Sequence, residues 1–322
     1  MLKIGKPIDI SNCETLCEEF EGIFNKVWVR INGTDYLYKS NIASSKDYTE
    51  LEYGLESSFC EVFNSYLAKK CDMDCVESCF AFFKENEIGC IVKSYIDKST
   101  VEEFDCGEIY DMSNPDEDLI LNSPCIDEIL NALDFINSGI KVDPNIEEKL
   151  YLIALWDYFT MQIDRHTSNL AFLSKKDNNG EKYLTLAPIF DNGFSFFTGL
   201  SEKMIDSMYS DCITYKNQPI DKYLIYLSPR MHIRLGSKSS LLKYDLVTRI
   251  EKYESVKKLY NFFINLDLEK EFKEFTKLTS QVYNAKRQTL VILAFNVRKK
   301  ELIEEYNNYK INEENNDNNI IL

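Results

Sequence analysis

Residues 27–31 (VWVRI) alternate in the manner of a strand. Asn32-Gly33-Thr34-Asp35 follows as a turn signal, and 36–39 (YLYK) resumes the alternation. Two such runs around Asn-Gly predict a β-hairpin. Ahead of it, residues 1–25 show no sustained period and are expected to be irregular or weakly structured. Phe59, Val62, Phe63, Tyr66 and Leu67 recur at i, i+3, i+4, i+7 and i+8, which predicts an amphipathic helix over 55–69. Residues 75–83 and 88–96 read as strands around the polar turn Lys84–Glu87. The first 96 residues thus predict a small sheet with one helix.

From 97 to 122 the chain is acidic and loop-like, and after it helical periodicity dominates. Ser123-Pro124 reads as an N-cap followed by Pro at the first helical position. Ile126, Ile129, Leu130, Leu133 and Ile136 form the buried stripe of that helix, and Gly139 ends it. A more apolar helix containing Trp156 is predicted over 146–161, and further helices over 243–264, 266–278 and 280–308. Apolar runs in 163–173 and 183–196 read as short strands. The expected organisation is α+β, with a β-rich N-terminal lobe over 1–96 and a larger, mainly helical C-terminal lobe over 97–310. The Asn- and Glu-rich segment 311–322 is expected to be a disordered tail.

The 322 residues are 44% hydrophobic and 13% aromatic, which places the chain among globular proteins. A net charge of −16 and a pI near 4.7 repel phosphate backbones, so no direct nucleic-acid binding is expected. No basic run could dock on an anionic membrane, and no apolar stretch approaches a bilayer span. The N-terminus MLKIGKPIDIS lacks the apolar core of a signal peptide. A cytoplasmic protein with reduced thiols is expected, with an exported effector left open. Of the ten cysteines, Cys71, Cys75 and Cys79 are spaced by four, yet no second pair or nearby His completes a zinc site. They are read as small apolar residues.

Chemistry concentrates in IDRHTSNLAFL (163–173) and YLTLAPIFDNGFSF (183–196). Short strands there would deliver Asp164, Asn169 and Asp191 to one edge. Phosphoryl transfer needs this combination. Mg²⁺ prefers oxygen ligands, which an Asp and an Asn supply against the reacting phosphates. A second Asp can orient the attacking hydroxyl and accept its proton. Protein kinases place that base five residues before the metal-binding Asn, the separation from Asp164 to Asn169. Asp191 then takes the part of the Asp in D-F-G, here D-N-G.

The order D-R-H-x-x-N, followed by a strand pair and D-x-G, resembles the phosphatidylinositol kinases and the bacterial HipA-like kinases. LAPIFD, with Ser195 four places after Asp191, is more similar to the HipA-like group and its compact members. The resemblance implies a two-lobed, protein-kinase-like fold and an ATP- and Mg²⁺-dependent Ser/Thr protein kinase acting as a toxin or effector. It implies Asp164 as catalytic base, His166 as scaffold of the loop, and Asn169 and Asp191 as Mg²⁺ ligands. It also implies Lys39 against the ATP phosphates, Glu61 as its partner, and Lys93, Ser94, Tyr95 and Ile96 as the hinge lining the adenine. The implied partners are a protein substrate with a Ser or Thr acceptor and a separately encoded antitoxin or regulator.

One departure stands out: the stretch expected to cover the phosphates, Glu18–Lys26, contains only Gly22. Backbone N–H groups, helped by Lys26, would have to serve there. From the residues alone, Lys39 could be a solvated strand lysine, Glu61 could face water, Arg165 could pair with a nearby carboxylate, and His232 reads as structural. A lipid or small-molecule kinase and a binding module without turnover remain the alternatives. The expected activation or substrate loop, 194–222, sets three lysines against four carboxylates. Ser195, Thr198, Ser201, Ser207, Ser210 and Thr214 within it are candidates for self-phosphorylation.

Overall fold

The structure, a computed structural model, describes residues 2–19, 24–43, 56–83, 88–113, 124–137, 139–224 and 239–319. Gly22, the turn 84–87, Ser123 and His232 lie outside the described residues. The fold is mixed, with a β-rich N-terminal region and a helical C-terminal region. It divides into two compact units.

The first unit comprises Met1–Lys98, Pro188–Pro219 and Asp267–Ile292. The linear reading gives everything after 96 to one lobe; the two later segments instead group with the N-terminal sheet. That sheet has six strands in the order β1-β5-β6-β4-β3-β2. They are β1 (Ile8–Asp9), β2 (Glu14–Glu19), β3 (Phe24–Ile31), β4 (Thr34–Ala43), β5 (Ser78–Phe82) and β6 (Ile88–Lys93). The predicted hairpin is β3–β4, with Trp28 paired to Leu37 and Lys26 to Lys39. β1 and β2 correct the expectation of an irregular N-terminus. β2 (ETLCEE) is a sheet-edge strand with Glu14, Thr15 and Cys17 exposed, so no alternating apolar face marks it in the sequence.

Helix α1 (Ser57–Cys71) packs on this sheet and is buried on nearly every side, which the apolar stripe alone does not require. Its small polar residues make that possible by bonding into the sheet. The Ser65 hydroxyl accepts from Ser78 N at 3.1 Å, and Ser78 Oγ donates to the Glu61 carbonyl at 2.9 Å. Gly89 on β6 is required where it stands, because a Cβ would meet the Lys39 carbonyl and the Tyr38 ring. Helix α9 (Leu268–Thr279) closes the core: Phe59 and Phe63 of α1 stack with Phe272 and meet Phe275 edge-on, and Phe59 also stacks with Tyr283 beyond the helix.

The second unit comprises Ser99–Ala187, Ile220–Leu266 and Leu293–Leu322. Its sheet runs β7-β9-β10-β8, from β7 (Thr100–Asp105), β8 (Lys141–Val142), β9 (Ala171–Lys176) and β10 (Lys182–Leu186). β7 and α2 (Cys106–Ser113) occupy part of the segment read as an acidic loop. β7 is exposed along Val101, Glu102 and Glu103, and its polar sequence hides it. Helix α3 (Ile126–Ile136) starts after Cys125 rather than at Pro124, one turn shorter than predicted. Helix α4 (Ile146–Thr160) is buried almost all round, with Trp156 and Phe159 against Phe263.

β10 ends at Leu186; beyond it Pro188 has no N–H to give a ladder, and the chain is irregular through Asp191. The segment expected as a loop over 194–222 contains α5 (Glu202–Tyr209), a π-turn (Ser210–Thr214) and the start of α6 (Asp221–Leu224). The run 243–264 is two helices, α7 (Ser239–Lys252) and α8 (Glu254–Asn265), broken at the extended Tyr253. Helix α10 (Ala285–Asn319) continues through most of the expected tail. Its last described side chains, from Ile311 to Asn315, are exposed, so composition there signals a solvated helix end.

Candidate active site

In the first unit, β4 carries Lys39, α1 carries Glu61, and the irregular stretch after Ile189 carries Asp191. Lys39 Nζ donates to Glu61 Oε1 at 2.5 Å and to Asp191 Oδ1 at 2.9 Å. Lys39 is 8% exposed and Glu61 2%, which removes the readings of a solvated lysine and a water-facing glutamate. Burial by itself lowers the Lys39 pKa, but Asp191 and Glu61 outweigh it and hold the ammonium above the ordinary lysine value. Glu61 Oε2 also accepts from Asn192 N at 3.2 Å, so one carboxylate fixes both the lysine and the D-N-G backbone.

The D-N-G turn is built from residues the sequence does not single out. Asp191 has φ 51°, the left-handed region that Asp tolerates better than most residues. Gly193 fits because a Cβ would run into the Ser57 hydroxyl. Buried Asn64 donates to Ser195 Oγ at 2.6 Å and to the Cys60 carbonyl at 2.8 Å, and Ser195 Oγ donates to the Asn192 carbonyl at 2.8 Å. Ser195 and Thr198 are buried in this packing, which corrects their standing as candidate phosphate acceptors. Further on, Phe196 and Phe197 hold φ 50° and 69°. Such bulky residues in left-handed backbone store on the order of 1–3 kcal/mol each.

Lys93, Ser94, Tyr95 and Ile96 meet at one cavity of about 940 Å³, with Leu16, Trp28, Val76 and Pro188 among its walls. A cavity of this size suits a small organic ligand. Ser94 N donates to the Asp35 carbonyl at 3.0 Å, and the Tyr95 ring lies 5.1 Å from that of Phe190, next to Asp191. Lys39, Glu61 and Asp191 do not line this cavity.

In the second unit, Asp164, His166 and Asn169 share one loop that ends in a 3₁₀ turn, Thr167–Asn169. The Asp164 carbonyl accepts from His166 N at 2.9 Å and from Asn169 Nδ2 at 2.8 Å. This bond ties one amide N–H of Asn169 to the loop and leaves Oδ1 as a hard oxygen donor. His166 contributes through its backbone; its imidazole makes no hydrogen bond among the described residues, so the scaffold expected of it lies elsewhere. Arg165 supplies it. Its guanidinium is fully buried and grips Asp157 of α4 through two bonds, 3.1 Å from Nε and 3.0 Å from Nη2. Nη1 donates to the Asn169 carbonyl at 3.1 Å. The pairing of Arg165 with a carboxylate is thus as the sequence allowed, and Asp157 is the partner it could not name.

Removing one member of a buried pair leaves the other charge uncompensated. Arg165→Met is therefore expected to destabilise the protein by about 3–5 kcal/mol, read as a lowered urea midpoint. An unchanged midpoint would remove Arg165 as the anchor of the loop.

No group of three His, Cys, Asp or Glu suited to a metal occurs among the described residues. Each within its own unit, Asp191 offers carboxylate oxygens and Asn169 an amide oxygen, both of the hard type that Mg²⁺ prefers. Cys71 and Cys75 bond to main-chain carbonyls, and all ten cysteines are free thiols. No helix among the described residues is long and apolar enough to cross a membrane.

No protein-family model and no curated protein matches the sequence. Solved structures do. The Helicobacter pylori proinflammatory kinase CtkA superposes over 95% of this chain and 98% of its own, with a TM-score of 0.64 at 16% identity. A chain of the Shewanella oneidensis HipA–HipB toxin–antitoxin complex with operator DNA matches over 94% of this chain and 70% of its own, at 13% identity and a TM-score of 0.46. Along nearly its whole length, this chain has the kinase fold found in CtkA, in agreement with the HipA-like resemblance carried by D-R-H-x-x-N and LAPIFDNG.

Proposed function

We propose that this protein is an ATP- and Mg²⁺-dependent protein kinase that transfers a phosphoryl group to Ser or Thr. The observation that carries the proposal is the cluster of buried Lys39 and Glu61 with half-buried Asp191. Kinases require a strand lysine paired with a helix glutamate and an aspartate for the metal, and a structural role alone does not call for a second carboxylate on the same lysine. In this reading the cavity at Lys93–Ile96 takes the adenine, and Lys39 turns from Asp191 toward the phosphates when nucleotide arrives. Asp191 and Asn169 are the residues that would hold Mg²⁺, which supplies charge neutralisation at the phosphates. Asp164 orients the acceptor hydroxyl and takes its proton.

A protein acceptor is favoured over a phosphoinositide. The segment 194–222 carries more carboxylates than lysines, and the net charge of −16 repels an anionic surface. An acidic protein suits a substrate with basic flanks. A separately encoded antitoxin or regulator is the expected partner on the strength of the sequence resemblance alone. The test is transfer of label from radioactive ATP by the purified protein, alone, with cell lysate, and with phosphoinositide vesicles. Labelled Ser or Thr is expected. Efficient labelling of the vesicles with no labelled protein would overturn the choice of acceptor, and no labelling in any arm would overturn the kinase reading.

A further inference from the structure

Phe196 and Phe197 adopt consecutive left-handed conformations, and both of their carbonyls are taken. Tyr283 Oη donates to Phe196 O at 2.5 Å, and Arg287 Nη1 donates to Phe197 O. The Arg287 side chain is fully buried. Its Nη2 donates at 2.7 Å both to Leu200 O and to Glu202 Oε1, and its Nε donates to the same Glu202 oxygen at 3.2 Å. Nε also lies 3.4 Å from Oε2 of Glu56, the residue before α1. Glu56 Oε1 in turn accepts from Asn284 N at 2.6 Å. One buried cation therefore joins the start of the helix that carries Glu61 to the segment that follows Asp191.

Where the corresponding segment of a kinase is ordered by phosphorylation, an added phosphate is the anion that an arginine grips. Here a permanent carboxylate, Glu202, already meets a buried arginine. Ser195 and Thr198 are too buried to receive a phosphate. We infer that Tyr283 and Arg287 are positioning residues for Asp191, with Glu202 standing in the place of a phosphate, so that this kinase is assembled without phosphorylation of 194–222. The inference rests on the kinase reading above. It also makes 267–292 a working part of the nucleotide-binding unit.

The test compares phosphatase-treated wild type, Glu202→Gln, Arg287→Lys and a Ser207→Ala/Ser210→Ala/Thr214→Ala variant. Two readouts apply: amide hydrogen exchange of 194–202, and Mg·ATP binding with and without Mg²⁺. Dephosphorylated wild type is expected to protect 194–202, and the triple hydroxyl variant to behave like it in both readouts. Glu202→Gln removes a half-exposed charge from the arginine and is expected to speed exchange and weaken the Mg²⁺-dependent part of ATP binding about fivefold. Binding without Mg²⁺ should be unchanged, which a general loss of folding would not spare. Arg287→Lys keeps the charge but not the fork, and should fall on the same side as Glu202→Gln. Protection that appears only after phosphorylation, or a silent Glu202→Gln, would overturn the inference. If exchange responds as expected while nucleotide fails to bind the wild type, the clamp stands and the kinase reading fails.

Discussion

Asp164→Asn is expected to abolish phosphoryl transfer while leaving Mg·ATP binding and stability close to wild type. The backbone of Asp164 organises the loop. Its carbonyl receives His166 N and Asn169 Nδ2, and its N–H donates to Gln162 Oε1 at 3.2 Å. Arg165 anchors the same loop from below through Asp157. An amide of the same shape keeps these backbone bonds and removes proton acceptance, a contribution of about 10²–10⁴ in rate. Single-turnover transfer from labelled ATP, beside a calorimetric titration, separates the two effects. Near wild-type transfer would remove Asp164 as the base.

Lys39→Met is expected to cost both stability and most of the rate. Glu61 would remain almost fully buried with only Asn192 N to meet it, a situation that costs about 3–5 kcal/mol. A raised lysine pKa in the folded state means that the cluster contributes fully below the unfolded value of about 10.5 and is lost only as pH rises through the folded one. Burial already raises the Glu61 pKa and Lys39 opposes that rise, so without the lysine Glu61 takes up a proton more readily and the destabilisation should shrink as pH falls. The double variant Lys39→Met/Glu61→Gln distinguishes the two roles. It is expected to recover stability, since no unpaired charge is left buried, but not transfer. Recovery of transfer as well would show that the lysine serves only the fold.

Much of this was legible in the chain. Asn32-Gly33 between two alternating runs announced β3–β4, and the stripe from Phe59 to Leu67 announced α1. The spacing of Asp164, Asn169 and Asp191 is what pointed to the phosphoryl transfer proposed for this chain. Lys39 and Glu61, ambiguous as isolated residues, gained meaning only when 22 positions of chain folded them onto each other. What stayed hidden had a physical reason. β2 and β7 are exposed, polar strands that lack an apolar face to betray them. Arg165 was open to pairing with a nearby carboxylate, but nothing in the spacing picked out Asp157, and Arg287 carried no signal because its partner Glu202 lies 85 positions away. The segments 188–219 and 267–292 join the N-terminal sheet through tertiary packing of Phe196, Phe272 and Phe275 on α1, which no local pattern encodes.

The most direct measurement is a calorimetric titration of ATP into the wild type, Asp191→Ala and Asn169→Ala, each with Mg²⁺ and with a chelator. The wild type is predicted to bind ATP with Mg²⁺ and to lose most of that affinity without it. Asp191→Ala, which removes a charged ligand, should lose most of the dependence, and Asn169→Ala, which removes a neutral one, should lose less. Equal ATP affinity with and without Mg²⁺ in the wild type, or unaltered dependence in Asp191→Ala, would contradict the account.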